Sequence, residues 1–551
     1  MGAVTVSHAT FAHPGGSELF EDVTFRVGHG RHVALVGPNG VGKTTLLRCV
    51  AGELKLQGGT ATTDASVAYM PQAIGVDGDA ATTVRALLTS FSSPSIRAAG
   101  EALARAEAAN EAEPTERTGM ALANAVIRWG EVEGYQHEAR WDACCAAVLG
   151  QPLTVAGARP LAQLSGGERK RLVLEMLFGS DHGILLLDEP DNFLDIPAKR
   201  WLEDQINTSA KTILFITHDR ALLDACATGI VTLEARGCWV HPGPWATYDE
   251  ARRQRNTALG DAVRRWKEEE RRLFFSFKDM KQWASLNDGN ARKADAAENK
   301  WRRWVDVGPP PPPPPERTVR MRLDGADGGK VALRVEGLEI SGLTEPFDLE
   351  VHMADRVAVL GANGTGKSHF LRLLAGDDVD HEGKWRFGAR TNPGLFHQTD
   401  DVDAFRGRTP LEVLQALDLN LQSAMKALAR YGLADGADRP VETLSGGQKA
   451  RLQILHLELR DVNVLLLDEP TDNLDLASAE ALEAALDTFT GTVVCVTHDR
   501  WFLRAFDRFV LFADDCRVHE VLGIDVALRR ISREPAQPRD RAAVLDLTAT
   551  R

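Results

Sequence analysis

No stretch of these 551 residues is apolar for long enough to cross a bilayer, because the longest runs are of strand length and broken by charge. A helical membrane span is therefore excluded. The amino terminus, Met1-Gly2-Ala3-Val4-Thr5, lacks a basic segment followed by an apolar one, so secretion is not expected. Cysteine is sparse: seven are scattered along the chain, none in a Cys-x-x-Cys pair, and Cys144 and Cys145 are merely adjacent. They read as reduced packing residues of a cytoplasmic protein rather than a disulfide framework, zinc site or redox motif. A net charge of −14 argues against a chain that coats nucleic acid by charge alone, although it leaves room for a local basic element. The remainder, 44% apolar and 26% charged, is an ordinary globular mixture long enough for two to four domains.

What is present is a duplication. Leu164-Ser165-Gly166-Gly167-Glu168 recurs as Leu444-Ser445-Gly446-Gly447-Gln448, an offset of 280. The same offset carries Leu185-Leu186-Leu187-Asp188-Glu189-Pro190 onto Leu465-Leu466-Leu467-Asp468-Glu469-Pro470, and Thr217-His218-Asp219-Arg220 onto Thr497-His498-Asp499-Arg500. One constant shift superposing three motifs marks an internal repeat.

Each half opens with a phosphate loop in its required setting of strand, glycine loop and helix. Val33-Ala34-Leu35-Val36 runs into Gly37-Pro38-Asn39-Gly40-Val41-Gly42-Lys43-Thr44-Thr45, and Val357-Ala358-Val359-Leu360 into Gly361-Ala362-Asn363-Gly364-Thr365-Gly366-Lys367-Ser368. The glycines let consecutive backbone N–H groups wrap phosphate oxygens. Lys43 and Lys367 meet the β/γ oxygens, and Thr44 and Ser368 can ligate Mg²⁺. Asp188 and Asp468, each ending an apolar strand, are placed to hold Mg²⁺ directly or through water. The following Glu189 and Glu469 can orient or deprotonate an attacking water. Ser165-Gly166-Gly167 and Ser445-Gly446-Gly447 open helices whose N–H groups and dipoles suit an anion.

Two phosphate loops, two Leu-Ser-Gly-Gly signatures, two Asp-Glu-Pro strands and two histidine switches together resemble the paired nucleotide-binding domains of the ABC ATPase superfamily. The resemblance implies an α/β fold with two P-loop domains, ATP and Mg²⁺ as cofactors, and ATP hydrolysis to ADP and phosphate. It also makes Gln72 and Gln398 the Q-loop residues, near both water and metal, and brings His218 and His498 to the γ-phosphate. Asp195 and Asp475 close the D-loops. Each signature completes the opposite site, so Ser445 and Gly447 are expected against Lys43, and Ser165 and Gly167 against Lys367. The first D-loop, Asp191-Asn192-Phe193-Leu194-Asp195, departs from the family in carrying an acid and an aromatic. Phe11 or His13 could stack on adenine in the first half; Glu339-Ile340-Ser341-Gly342 offers no aromatic in the second.

The halves differ in two additions. Gln72 to Ser165 spans 93 residues and Gln398 to Ser445 only 47. The surplus falls near 95–150, with helical character over Ile96–Glu113 and Ala121–Leu149; it is either a longer helical subdomain or an inserted arm. Between the halves, Leu259, Val263, Trp266, Leu273, Phe277, Met280 and Ala284 follow 3- and 4-residue steps interrupted by Glu270, and Ala294, Ala297, Trp301 and Trp304 repeat the rhythm after Asn287-Asp288-Gly289-Asn290. This predicts two antiparallel helices zipped along one seam, the first roughly 50 Å long. From Ala251 to Trp304 there are 15 Lys or Arg against 8 Asp or Glu, interleaved with Trp266, Phe274, Phe275, Trp283, Trp301 and Trp304. Such a segment suits phosphate neutralisation and base stacking, or else a solvated coiled coil whose aromatics face inward. Pro309 to Pro315 should form a stiff spacer of roughly 20 Å.

An arm, a basic hairpin and twin ATPase domains without a membrane span resemble the ABC-F proteins. The resemblance implies binding at the ribosomal tRNA exit site, with 23S rRNA and P-site tRNA as partners, in translation or in protection against antibiotics. The alternative is the ATP-hydrolysing subunit of a separate membrane exporter, which leaves the hairpin unexplained. A DNA-maintenance ATPase would call for zinc-ligand pairs and much longer coiled coils. The expected organisation is a first ATPase domain at 1–248, a hairpin linker at 249–329, a second domain at 330–525 and a weakly ordered tail at 526–551. The halves pair within one chain, so a monomer is expected.

Overall fold

The computed structural model describes residues 2–13, 16, 18–74, 82–234, 237–286, 291–314, 321–323, 329–397, 405–472, 474–532 and 544–547. Its contacts divide the chain into two compact units, 1–240 with 318–551, and 241–317.

The larger unit contains the duplication as two α/β halves. Runs that are apolar up to a final aspartate, Ile184–Asp188 and Val464–Asp468, are buried along their whole length, as interior strands of a parallel sheet are. In the first half the strand order is Val67–Met70, Ile184–Asp188, Thr212–Ile216, His32–Val36, Gly229–Leu233, Cys238–His241. The second half repeats it with Pro393–Phe396, Val464–Asp468, Thr492–Val496, Arg356–Gly361, Arg508–Phe512 and Val518–Val521. Each half adds a three-stranded antiparallel sheet, centred on Val4–Ala12 and on Val331–Ile340. Parallel register brings the carboxyl ends of neighbouring strands together: Asp188 lies beside Ile216 and Asp468 beside Val496. The phosphate loops leave the same edge, which is where ligands of open α/β sheets bind.

The 95–150 insertion is helical, over Pro94–Ala112, Glu116–Glu131 and Gly134–Leu149. The stretch of expected helical character from Ala121 to Leu149 forms two helices, parted at Glu133, whose φ is 60°. Trp129 and Trp141, both buried, pack across that break with ring centroids 6.0 Å apart.

The tail needs correcting, because part of it is ordered. Ile524–Ile531 is a helix burying Ala527 and Ile531, and it lies against the first-half helix Ile196–Thr208. Val544–Asp546 pairs antiparallel with Val518–Val521, and Leu547 donates to the carbonyl of Val518 at 2.9 Å. Its Pro- and Arg-rich composition hid a short amphipathic helix and a strand at the edge of the second sheet. Residues 533–543 lie outside the described residues.

In the smaller unit, helices Tyr248–Leu286 and Ala291–Val307 run against each other. The expected turn at 287–290 and the last proline of 309–315 lie outside the described residues. Trp266 stacks on Trp304 with centroids 6.4 Å apart, and Phe277 on Trp301 at 5.7 Å with planes 4° apart. Glu270, which interrupts the apolar rhythm, accepts the indole N–H of Trp301 at 3.2 Å; the Trp304 indole donates to the carbonyl of Trp266 at 3.4 Å. Seam packing thus engages four of the six aromatics expected to stack on bases, Phe274 lying 5.5 Å from Trp301 as well. Trp283 at 62% and Phe275 at 57% remain exposed among basic residues.

Candidate nucleotide sites between the two halves

Glycines at positive φ let each phosphate loop turn in on itself: Gly40 and Gly42 at 79° and 101°, Gly364 and Gly366 at 85° and 94°. The helices that follow start at Lys43 and Lys367, so their free N–H groups face the loop. Lys43 Nζ donates to the carbonyls of Gly37 at 2.8 Å and Pro38 at 3.2 Å, and Lys367 Nζ to those of Gly361 and Ala362 at 3.0 and 2.6 Å. Both ammonium groups are buried at the base of the loop.

Each signature opens a helix through a capping box. Ser165 accepts the N–H of Glu168 at 3.2 Å while Glu168 accepts that of Ser165 at 2.7 Å, and Ser445 with Gln448 does the same. Such a cap stabilises the helix start by about 1 kcal/mol. A 340 Å³ cavity is lined by Asn39, Gly40, Gly42, Lys43, Thr44, Thr45, Gln72 and Glu189 of the first half together with Ser445, Gly446 and Gly447 of the second. A 300 Å³ cavity joins Asn363, Gly364, Gly366, Lys367, Ser368, Glu469 and His498 to Ser165, Gly166 and Gly167. The crosswise pairing expected from the sequence is therefore the arrangement of these residues in space. Gly167 is held to glycine chiefly by its own half, since a Cβ there would lie 2.6 Å from the carbonyl oxygen of Phe193, and it would also lie 3.3 Å from Asn363 Nδ2 of the other half.

The D-loops bridge the halves symmetrically. Asp195 caps its helix through the N–H of Ala198 at 3.0 Å and reaches the N–H of Asn363 at 3.4 Å; Asp475 caps Ser478 and reaches the N–H of Asn39 at 3.3 Å. Outside them, Arg220 forms a two-pronged pair with Glu483, and Arg500 with Glu203. These are the same two positions 280 residues apart, an interface related by pseudo-two-fold symmetry.

Asp188 Oδ2 accepts the Tyr69 hydroxyl at 3.4 Å, and the Thr44 hydroxyl also bonds this carboxylate; Asp468 Oδ1 accepts the Ser368 hydroxyl at 3.1 Å. Asp188 Oδ1 is a buried oxygen without a hydrogen-bond partner among the described residues, so the hard-oxygen donor set fits a divalent cation. Glu189 and Glu469 sit in left-handed backbone, φ 48° and 47°, a strain shared by the two copies. Glu189 Oε2 accepts from Gln72 Nε2 at 2.6 Å and from Asn192 Nδ2 at 2.7 Å. Glu469 Oε2 accepts the N–H of His498 at 3.0 Å. Burial, followed by the charge of Asp188, raises the Glu189 carboxyl above its usual range; burial followed by Asp472 and Asp468 raises Glu469 further. His218 is pulled down to about 3 by burial and then by Lys43, and neither of its ring nitrogens makes a hydrogen bond among the described residues, Nε2 lying 3.8 Å from Glu189 Oε1. A neutral buried imidazole with a free N–H suits a phosphate oxygen. Gln398 lies outside the described residues.

Two features were not legible beforehand. Phe11 packs in the core against Phe20, leaving His13 as the aromatic lining the first cavity. Lys199, buried, pairs with Asp219 at 3.0 Å and donates across the interface to the carbonyl of His498 at 3.4 Å; Asp191 beside it, accepting the Thr217 hydroxyl at 2.6 Å, is pushed up to about 6 by burial and by Asp219. An acid in the first D-loop was the one available signal for this cluster.

A family model described as ABC transporter matches residues 20–192 and 344–472. An antibiotic resistance protein of Mycobacteroides abscessus is 47% identical over 92% of this chain and 96% of its own. ABC transporter F family member 4 of Arabidopsis thaliana is 30% identical over 88% of this chain and 69% of its own. Among solved structures, the archaeal ribosome recycling factor aABCE1, in complex with the ribosomal stalk protein aP1, shares the fold with a TM-score of 0.55 at 19% identity, over 92% of this chain and 87% of that one. No helix among the described residues is long and apolar enough to cross a membrane. Composite sites built crosswise from two repeats, a matching family model and full-length relatives place the chain in the ABC ATPase superfamily, as a member of its ABC-F branch.

Proposed function

We propose that the protein is a cytoplasmic ATPase that binds the ribosome at the tRNA exit site and couples ATP binding and hydrolysis to translation, in a role that protects the ribosome from antibiotics. The observation that carries this reading is the hairpin. It places 15 basic against 8 acidic residues, with exposed Trp283 and Phe275, in a chain whose net charge is −14. This combination suits backbone neutralisation and base stacking on 23S rRNA and P-site tRNA. The relative named for antibiotic resistance and the fold shared with a ribosome recycling factor support it.

In this reading Lys43, Lys367 and the loop N–H groups hold ATP, and Ser165, Gly167, Ser445 and Gly447 close on its γ-phosphate from the other half. Thr44, Asp188, Gln72, Ser368, Asp468 and Gln398 hold Mg²⁺, which supplies charge neutralisation of the phosphates. Glu189 and Glu469 orient water and take its proton, while neutral His218 and His498 donate to the γ-phosphate. Replacing both glutamates by Gln nearly abolishes turnover and traps ATP.

The test is co-sedimentation of that trapped protein with 70S particles across a salt series. Neutralising Arg292, Lys293, Lys300, Arg302 and Arg303 weakens ribosome binding and flattens its salt dependence, with little effect on ribosome-free hydrolysis. Trapped protein that stays in the supernatant at low salt overturns the ribosome reading. Stimulation by membrane vesicles instead would favour the exporter subunit, the alternative left open by the sequence.

A further inference from the structure

The two composite sites differ at one position that repeats in backbone but not in chemistry. The N–H of Asn192 bonds the carbonyl of Glu189 at 3.4 Å, and the N–H of Asp472, 280 residues on, bonds that of Glu469 at 3.2 Å. The two side chains therefore start from the same place. Asn192 turns its amide onto Glu189 Oε2 at 2.7 Å, beside the Gln72 amide at 2.6 Å. With Oε2 held twice, Oε1 is left on the side of His218, 3.8 Å from Nε2. The Asp472 side chain has no N–H to offer and brings a second negative charge towards Glu469, whose Oε2 takes the backbone N–H of His498. Asp472 interacts with Lys199, which comes from the first half and has Ala479 as its counterpart in the second. Lys170, whose ammonium donates to the carbonyl of Glu189, has Ala450 as its counterpart. The asymmetry among the described residues is thus a set: the Asn192 amide and a lysine stand at Glu189 where an acid and an alanine stand at Glu469, while the counterpart of Gln72, Gln398, lies outside the described residues.

We infer that Asn192 is a positioning residue for Glu189, and that Asp472 denies Glu469 the same support, so that the site built on Lys43 turns over faster than the site built on Lys367. This rests on the ATPase reading above, in which each glutamate orients the attacking water. A carboxylate fixed by two amide hydrogen bonds presents its free oxygen in one direction. One facing a neighbouring carboxylate is spread over several.

The test exchanges the two residues in backgrounds where a single site is active. In Glu469→Gln, which leaves the Lys43 site, Asn192→Asp lowers kcat roughly tenfold with the KM for ATP within about twofold, as expected for loss of a bond to a charged group. Asn192→Leu, which removes the donor without adding charge, lowers kcat by less. In Glu189→Gln, which leaves the Lys367 site, Asp472→Asn raises kcat severalfold, again without moving KM. If Asn192→Asp does not fold, as judged by its melting curve, the Asp472→Asn arm decides alone. Unchanged kcat in the exchanges, or KM moving in place of kcat, overturns the inference. Wild-type turnover in the Glu189→Gln/Glu469→Gln double variant would instead overturn the ATPase assignment itself, so the two failures are distinguishable.

Discussion

The two arginine–glutamate pairs across the interface join the last residue of each Thr-His-Asp-Arg repeat to a glutamate that no motif marks, and removing them is the most direct test of closure of the two halves. Arg220 places two N–H groups on the carboxylate of Glu483, with side chains 6% and 22% exposed, and Arg500 does the same to Glu203 at 12% and 14%. Largely desolvated two-pronged pairs of this kind contribute about 2 kcal/mol each, several times an exposed surface pair. Loss of one therefore weakens closure about 30-fold, and loss of both, at about 4 kcal/mol, roughly a thousandfold. The assay is X-ray scattering of the Glu189→Gln/Glu469→Gln protein against ATP concentration, with the ATP needed for half-closure as the readout. Arg220→Ala moves that midpoint upwards, and Arg220→Ala with Arg500→Ala leaves the protein open at any accessible concentration. The charge exchange Arg220→Glu with Glu483→Arg recovers much of the loss, which a general folding defect would not. A midpoint within twofold of the parent in Arg220→Ala, or an exchange no better than either single change, refutes the latch.

In the hairpin, Trp301→Ala removes the stack on Phe277 and leaves Glu270 without its indole donor, costing about 3–4 kcal/mol of hairpin stability; limited proteolysis should then cut within 248–307 first, and unchanged protection there would count against the seam. Gly167→Ala sets a methyl against the Phe193 carbonyl and Asn363, so it should block closure at the Lys367 site while ATP still binds Lys43; normal ATP trapping at both sites would contradict the geometry. His456, packed edge-on to Phe405, is pulled down to about 4 by burial and then by Arg460. Between pH 6.5 and 4 the unfolded chain binds this proton and the folded chain does not, so stability falls as pH drops through that window. His456→Gln should lose less Tm than the parent between pH 7 and pH 5, and equal losses would remove His456 as a cause.

The sequence by itself determined the duplication, the fold class and most of each nucleotide site, and the reason is local. A phosphate loop is a contiguous run whose glycines, lysine and hydroxyl act from adjacent positions. Asp188 and Glu189 sit at the end of a strand that is apolar because it is buried. Ser165 and Ser445 cap helices through a partner three residues on. The seam of the hairpin was legible for the same reason, as a periodicity along one helix. Only the tertiary structure decided what depends on groups distant in the chain. It turned Phe11 into the core and left His13 at the cavity, left Trp283 and Phe275 exposed beside the seam, and formed a helix and a strand in the tail against the second sheet. It also put Lys199 of one half among the acids of both and set Arg220 against Glu483. Burial and cross-half pairing set the energies of these groups, and neither is written in the spacing of a single motif.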